Sequence, residues 1–317
     1  MPTWTLQELE GCRQKVYPHV TSQQLINNFA LWGGIIRFTL AEPDLTNSRI
    51  EFDASIDKAA AQFPSLFESV GKTSAAAGTS YYVLQIQTDN TYIPRWVTFG
   101  STAMVERIAS AMYSKHHSRL KDFLGASQDD AEYGALRGYL FEGLVHNLLS
   151  HGGTFEVCSL NGATRRETLS IAAQPNSYPT VFEDLSGINQ LRNSNPPPTY
   201  FRPQAKNFCA VDSILFDPTP AMIQTTVSKV HPVKMKGLVN IVEYFGNPQA
   251  VAPGQQAVST VSTGSKYRLY FAVPPENYST FQKQNYLNAD GKVVQQVNQW
   301  ITNYVEQWVM MIKFTAS

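Results

Sequence analysis

Phe208-Cys-Ala-Val-Asp-Ser-Ile-Leu-Phe216 and Ala221-Met-Ile-Gln-Thr-Thr-Val-Ser228 are two short, mostly apolar runs that read as consecutive strands. Asp212 lies in the first run, and Gln224 and Thr226 lie in the second. Side chains alternate along a strand, so Gln224 and Thr226, at i and i+2, share one side. A carboxylate on one strand and a polar pair on the next is an arrangement that can hold a divalent metal, because a hard cation takes oxygen ligands. Glu142 adds a third polar group, from the segment Tyr133 to His151, which reads as a helix.

Working outward, that helix stops at Gly152-Gly153, as a helix ending in a left-handed residue does. Thr154–Leu160 and Glu167–Ala172 alternate as a hairpin, with Asn161-Gly162 near the turn. Gln174 to Pro203, with Pro196-Pro-Pro198 inside it, predicts a long loop. After the Asp212 and Gln224 strands come a helix over Val233–Phe245, a polar loop from Gly246 to Gly264 and a strand over Tyr267–Val273, ended by Pro274-Pro275. Val293 to Lys313 predicts a long closing helix, with Trp300, Tyr304 and Trp308 along one stripe as core or dimer interface.

The first ~125 residues read as mainly helical and separate from the rest. Trp4–Gln14 predicts a helix, and Thr21-Ser22 caps another over Gln23–Leu31, broken by Gly33-Gly34. Asp53–Phe67 and Met104–Phe123 also carry helical spacing, whereas Tyr81–Gln87 and Trp96–Phe99 read as strands. Ala126-Ser-Gln-Asp-Asp130 marks the boundary, giving an N-terminal region over 1–126 and a second domain over 127–317. Gly71-Lys72-Thr73 resembles the end of a phosphate-binding loop, but Leu66 stands where that loop needs its first glycine. Nucleotide hydrolysis is therefore not expected of this region.

Composition narrows the classes. In 317 residues, 25 basic side chains face 25 acidic ones, so no net field steers a polyanion and any nucleic-acid contact must be local. Between Phe201 and Asn240 the balance tilts basic through Arg202, Lys206, Lys229, Lys234 and Lys236. Cys12, Cys158 and Cys209 are widely spaced and odd in number, which suggests buried thiols of a reducing compartment and no disulfide framework or zinc site. The N-terminus has no basic and apolar leader, and no run of ~18 apolar residues could span a bilayer, so an intracellular site of action and no membrane partner are expected.

Helix, three strands, helix, strand is the core order of the restriction-endonuclease-like fold. Gly138-Tyr-Leu-Phe-Glu142, Asp212, Gln224-Thr-Thr226, His231 and Gly237-Leu238 resemble the nuclease domain of Crinkler and retrotransposon-hot-spot type effector proteins. Trp4-Thr-Leu-Gln-Glu-Leu, Cys12-Arg13, Tyr17-Pro18 and Leu31-Trp-Gly-Gly-Ile-Ile-Arg37 resemble the tail of the ATPase that commonly precedes that nuclease. The resemblance runs from about residue 4 to 312 and implies an α/β fold with a restriction-endonuclease-like core behind a mainly helical, ATPase-tail-like region.

The resemblance also implies roles. Glu142 is the helix acidic residue that orients a metal or its water, Asp212 the metal-binding aspartate, and Gln224 the occupant of the (D/E) position. The metal is Mg2+ or Mn2+, and the site carries two carboxylates because a carboxamide adds no charge. Thr226 stands where the family has a lysine that positions the attacking water, and a hydroxyl cannot supply that charge. Lys229, His231, Lys234 or Lys206 are the alternatives for that role. Simpler readings stand beside these: Glu142 paired with His146 one turn on, Asp212 in a buried salt bridge, Gln224 bonding a backbone group, and His231 capping the following helix.

Two functions compete at this stage. One is a metal-dependent endonuclease acting on nucleic acid, DNA ahead of RNA, as a homodimer and, if it is an effector, in a host nucleus. The other is a degenerate nuclease fold that binds nucleic acid or a host protein without cutting.

Overall fold

The computed structural model describes residues 3–41, 46–63, 83–89, 91, 93–126, 134–162, 165–175, 179–193, 196–204, 208, 210–216, 220–246, 266–295, 301 and 304–314. Two compact units divide the chain, Met1–Leu144 and Val145–Ser317. The division falls inside the helix Gly134–His151. The boundary expected at 126–130 lies mostly outside the described residues, as do Gly71-Lys72-Thr73 and nearly all of the loop expected over 246–264.

The first unit opens with α1 (Leu6–Val16) and α2 (Ser22–Trp32). Each is entered through a reciprocal capping box, Thr5 with Glu8 and Thr21 with Gln24, which satisfies amide donors that the first turn would leave bare. α2 ends at Gly33 with φ 65, where a Cβ would sit 2.1 Å from the Gly100 carbonyl oxygen, so glycine is required twice over. A π-helical turn (Arg37–Ala41) and α3 (Thr46–Ala61) follow. The buried Trp32 ring packs on Phe38 and Phe52 with centroids 4.9 and 4.5 Å away. β1 (Leu84–Thr88) and β2 (Pro94–Phe99) form an antiparallel pair, and α4 (Thr102–Lys115) and α5 (His117–Ala126) complete the described part before α6 (Gly134–His151).

The second unit is built on an eight-stranded mixed sheet. Its strands are β3 (Gly153–Ser159), β4 (Arg166–Ile171), β5 (Thr180–Phe182), β6 (Tyr200–Pro203), β7 (Ser213–Phe216), β8 (Pro220–Thr225), β10 (Tyr267–Val273) and β12 (Val305–Met311). They lie in the order β4-β3-β12-β10-β8-β7-β6-β5. β8, β10 and β12 run parallel, and β7 is antiparallel to β8. The helices are α7 (Leu185–Leu191), α8 (Met235–Gly246) and α9 (Pro275–Tyr278), and β9 (Val233–Lys234) pairs with β11 (Tyr286–Leu287) apart from the main sheet. Leu238, Ile241, Val242 and Phe245 of α8 share one core with Ile214, Met222, Leu269 and Phe271. That core covers one face of the sheet. His146, in the last turns of α6, meets Tyr200 on the other face. The chain is thus mixed α/β, and α6 and the β3–β4 hairpin fall as expected. Gly152, with φ 73, ends α6 where a Cβ would meet the Ile171 carbonyl at 2.6 Å.

Three expectations are corrected. The long helix expected over Val293–Lys313 does not run to its end: Ile301 and Tyr304 are helical, but Val305–Met311 is β12, a central strand parallel to β10 along its whole length. Covered on both faces, β12 shows a nearly unbroken run of buried residues, so Trp308 continues a helical stripe in the sequence alone. Trp308 on it is fully buried, Tyr304 is exposed, and Trp300 lies outside the described residues. Gln174–Pro203 holds regular structure, with α7 capped by Asp184, whose Oδ1 accepts the Gly187 amide at 3.0 Å, and β6 anchored by buried Tyr200 and Phe201. Asp212 stands just before β7 and not within it, since Ala210 at φ 71 breaks the extended chain ahead of it.

Candidate functional site

Asp212 and Gln224 come together at the end of the β7–β8 pair. The registered pairing closes on Ser213 opposite Ile223, and one step further along the two chains stand Asp212 and Gln224. The Asp212 amide donates to the Ile223 carbonyl at 2.9 Å, and its Oδ2 accepts the Thr225 amide at 2.6 Å. A carboxylate bonded to a backbone amide is fixed in place by a charge-assisted bond. Gln224 is 7% exposed and pairs with Phe271 of β10 on its other side. Its Oε1 is buried without a hydrogen-bond partner among the described residues. Leaving a buried acceptor unsatisfied costs about 1–3 kcal/mol, so this amide oxygen is a vacancy in the bonding of an otherwise well-bonded strand. Ile214, Met222 and Phe271 form the apolar floor beside the pair.

Thr226 follows β8 directly and is buried. Its amide extends the parallel ladder to the Ala272 carbonyl at 3.0 Å, and its Oγ1 accepts the Ser228 amide at 3.0 Å. The hydroxyl thus shapes the chain's exit from the sheet. Beyond it Ser228, Lys229 and Val230 are exposed, and His231 is half-buried. The Lys229 ammonium makes no ion pair among the described residues, and burial holds the His231 imidazole below its ordinary value. Lys234 and Lys236 are exposed, Arg202 is half-buried with its guanidinium lowered by burial, and Lys206 lies outside the described residues.

The backbone of this exit loop is held by residues that carry no signal in the sequence. Gln284, 6% exposed, accepts the His231 amide at Oε1 (2.7 Å) and donates from Nε2 to the Lys229 carbonyl (3.2 Å). Gln307, fully buried on β12, accepts the Gln284 amide at 2.7 Å and donates to the Gln284 carbonyl at 3.0 Å. Asn277, 3% exposed, donates to the Val227 carbonyl at 2.8 Å. No motif or spacing marks a buried carboxamide, and Gln307 sits in the segment whose spacing predicts a helix.

Glu142 belongs to the first unit, where it is half-buried on α6. The pair formed within the second unit is Asp212 with Gln224. On the opposite face of the sheet, the His146 ring Nδ1 lies 2.7 Å from the Tyr200 hydroxyl, which donates to Ser213 Oγ at 2.9 Å. Among the described residues no three His, Cys, Asp or Glu side chains converge as a metal-holding group, and no described helix is long and apolar enough to cross a membrane. Cys12 and Cys158 are free, half-buried thiols, and Cys209 lies outside the described residues.

The chain is similar to Crinkler effector protein 15 and Crinkler effector protein 16 of Phytophthora infestans. It is 23% identical to each over 295 residues, covering 90% of this chain and 42% of each of those proteins. It therefore spans less than half the length of those relatives. No protein-family model matches the chain, and no solved structure matches it.

Proposed function

We propose that the chain is an effector-type, metal-dependent endonuclease of restriction-endonuclease-like type, hydrolysing phosphodiester bonds of DNA in a host cell. The observation that carries the reading is the buried Gln224 Oε1, without a hydrogen-bond partner among the described residues, one step beyond the β7–β8 register beside the tethered Asp212 carboxylate. Two oxygen donors at the mouth of an apolar floor fit a hard divalent cation, Mg2+ or Mn2+. Such an ion would act as a Lewis acid that offsets charge developing on the phosphate oxygens. Asp212 would bring the negative charge, and Gln224 a neutral oxygen whose burial cost the ion would offset. His231, neutral at physiological pH because burial lowers its pKa, offers a ring nitrogen that can accept a proton from the attacking water.

The order of elements supports the same reading. α6 precedes the meander β6-β7-β8, then α8 and then β10, with the hairpin, β5 and α7 inserted after the first helix and the two-residue β9 before the second. The similarity to Crinkler effectors supports a host-directed role, which would place the substrate in the host nucleus, and a homodimer would cut both strands.

A second reading, a nucleic-acid- or host-protein-binding module that does not cut, is favoured by one observation. Thr226, in the position of the expected lysine, spends its hydroxyl on the Ser228 amide. Incubation of supercoiled plasmid with Mn2+, Mg2+ or chelator, beside Asp212→Ala and Gln224→Ala, separates the two. The nuclease reading expects metal-dependent nicking that Asp212→Ala lowers by about 10^3 or more and Gln224→Ala lowers less, given the size of such electrostatic terms. No cutting with any metal, in a folded protein that still shifts DNA in a gel, would replace it with the binding module.

A further inference from the structure

The segment Val227–His231 is held in an unusual way. Five consecutive residues each have a backbone polar group taken by a side chain: the Val227 carbonyl by Asn277, the Ser228 amide by Thr226, the Lys229 carbonyl by Gln284, the Val230 amide by Ser228, and the His231 amide by Gln284. The longest of these bonds is 3.2 Å. Asn277 and Gln284 are themselves buried, and Gln284 is locked from behind by the two-bond exchange with Gln307. Yet the side chains at the tip gain nothing from this. Ser228 and Lys229 are exposed, and Val230 is 69% exposed. A surface loop whose own side chains form no core would ordinarily be among the least ordered parts of a fold. Here two buried carboxamides grip its backbone at three points, two local hydroxyls hold it at two more, and its cation is turned to solvent.

We propose that Gln284 is a positioning residue that presents the Lys229 ammonium to a phosphodiester backbone, and that the Val227–His231 loop is the phosphate-contact element beside the Asp212–Gln224 pair. The inference rests on the nuclease reading for the identity of the polyanion and deepens it by assigning the cation that Thr226 cannot supply. Lys229 is the residue of the loop that suits the task. It is a compact positive charge at the exposed tip, its ammonium is not spent on a carboxylate among the described residues, and its own carbonyl is the atom Gln284 grips. Prepaying the order of a contact loop raises affinity because less conformational freedom is lost on binding. In a chain with no net charge, one well-placed cation matters more than it would on a basic surface.

The test is a double-mutant cycle on binding of a fluorescein-labelled DNA duplex, followed by anisotropy in chelator across a salt series. The proteins are wild type, Lys229→Ala, Gln284→Met and the double variant. Lys229→Ala is expected to weaken binding about three- to tenfold and to reduce the log–log salt slope by about one, as the loss of one phosphate contact does. Gln284→Met should weaken binding comparably and flatten the slope in the same way, and the double variant should be no weaker than the worse single one, because both remove the same contact. A Gln284→Met effect that is confined to melting temperature, or that adds fully to Lys229→Ala, overturns the assignment. Should Gln284→Met fail to fold, Asn277→Leu, which releases only the Val227 carbonyl, takes its place in the cycle with the same expected non-additivity. Wild type that binds no nucleic acid at all would overturn the nuclease reading and this assignment with it. Wild type that binds but cuts with no metal would overturn the nuclease reading alone, leaving the loop to be judged by the coupling.

Discussion

Burial holds the His231 imidazole below its ordinary pKa, which is near 6.5, and that direction fixes how the protein responds to acid. Between the lowered folded value and 6.5 the unfolded chain binds a proton at this residue and the folded chain does not, so stability rises with pH across that window. The contribution is fully present above about pH 6.5 and is lost as the pH falls toward the folded value. One proton bounds the slope at about 1.4 kcal/mol per pH unit. Melting temperatures of wild type and His231→Gln, taken every half unit from pH 7.5 to 5, should diverge in that sense, with wild type losing more stability on acidification. Parallel curves would show that the imidazole titrates alike in both states. At this scale the candidate site was partly legible in the sequence. The nearness of Asp212 and Gln224 could be read because two consecutive apolar runs read as neighbouring strands, and the structure sets the two residues one step past the last registered pair. Gln284 could not, because a carboxamide that serves the backbone has neither a charge nor a periodic position to mark it.

Among the elements, β12 departs furthest from its reading. Trp300, Tyr304 and Trp308 share a helical stripe in the sequence, whereas Val305, Gln307, Trp308, Val309 and Met310 are buried on a strand walled in on both faces. A strand covered on both sides loses the period of two that would identify it, and an apolar run then reads equally as a buried helix. The helices that were legible, α1, α2 and α6, carry caps or terminal glycines that punctuate them, and the β3–β4 hairpin has one wet face and therefore alternates. The strand assignment has a measurable consequence. On β12 the Gln307 side chain exchanges two hydrogen bonds with the Gln284 backbone, so Gln307→Leu would leave a buried amide and a buried carbonyl bare. At about 1–3 kcal/mol for each group, that is roughly 2–6 kcal/mol. For a unit of this size it amounts to a fall of roughly 5–15 °C in melting temperature, read by circular dichroism. A loss under ~2 °C would mean that the Gln284–Gln307 exchange does not hold the sheet to the exit loop.

For the whole molecule, the balance of charge decides what a metal can do to stability. With 25 basic and 25 acidic side chains there is no net negative field to collect cations at large, so a divalent ion that stabilises the protein must do so at a site. A ligand bound only by the native state adds about 2.7 kcal/mol at a hundredfold excess over its dissociation constant, which for a unit of this size is a rise of roughly 5–10 °C. Mn2+ should therefore raise the melting temperature of wild type, chelator should reverse the rise, and Asp212→Ala should abolish it. Gln224→Ala needs closer argument, because it removes a neutral donor and at the same time removes a buried amide oxygen that has no partner among the described residues. Without metal, that variant escapes the cost of the bare oxygen but leaves a small void, two terms of similar size and opposite sign. With metal, only the loss of a ligand remains. The metal-induced rise in Gln224→Ala should accordingly be smaller than in wild type while its metal-free melting temperature changes little. If the metal-free value instead falls by several degrees and the rise is undiminished, Gln224 is a packing residue and Asp212 holds the ion with other partners.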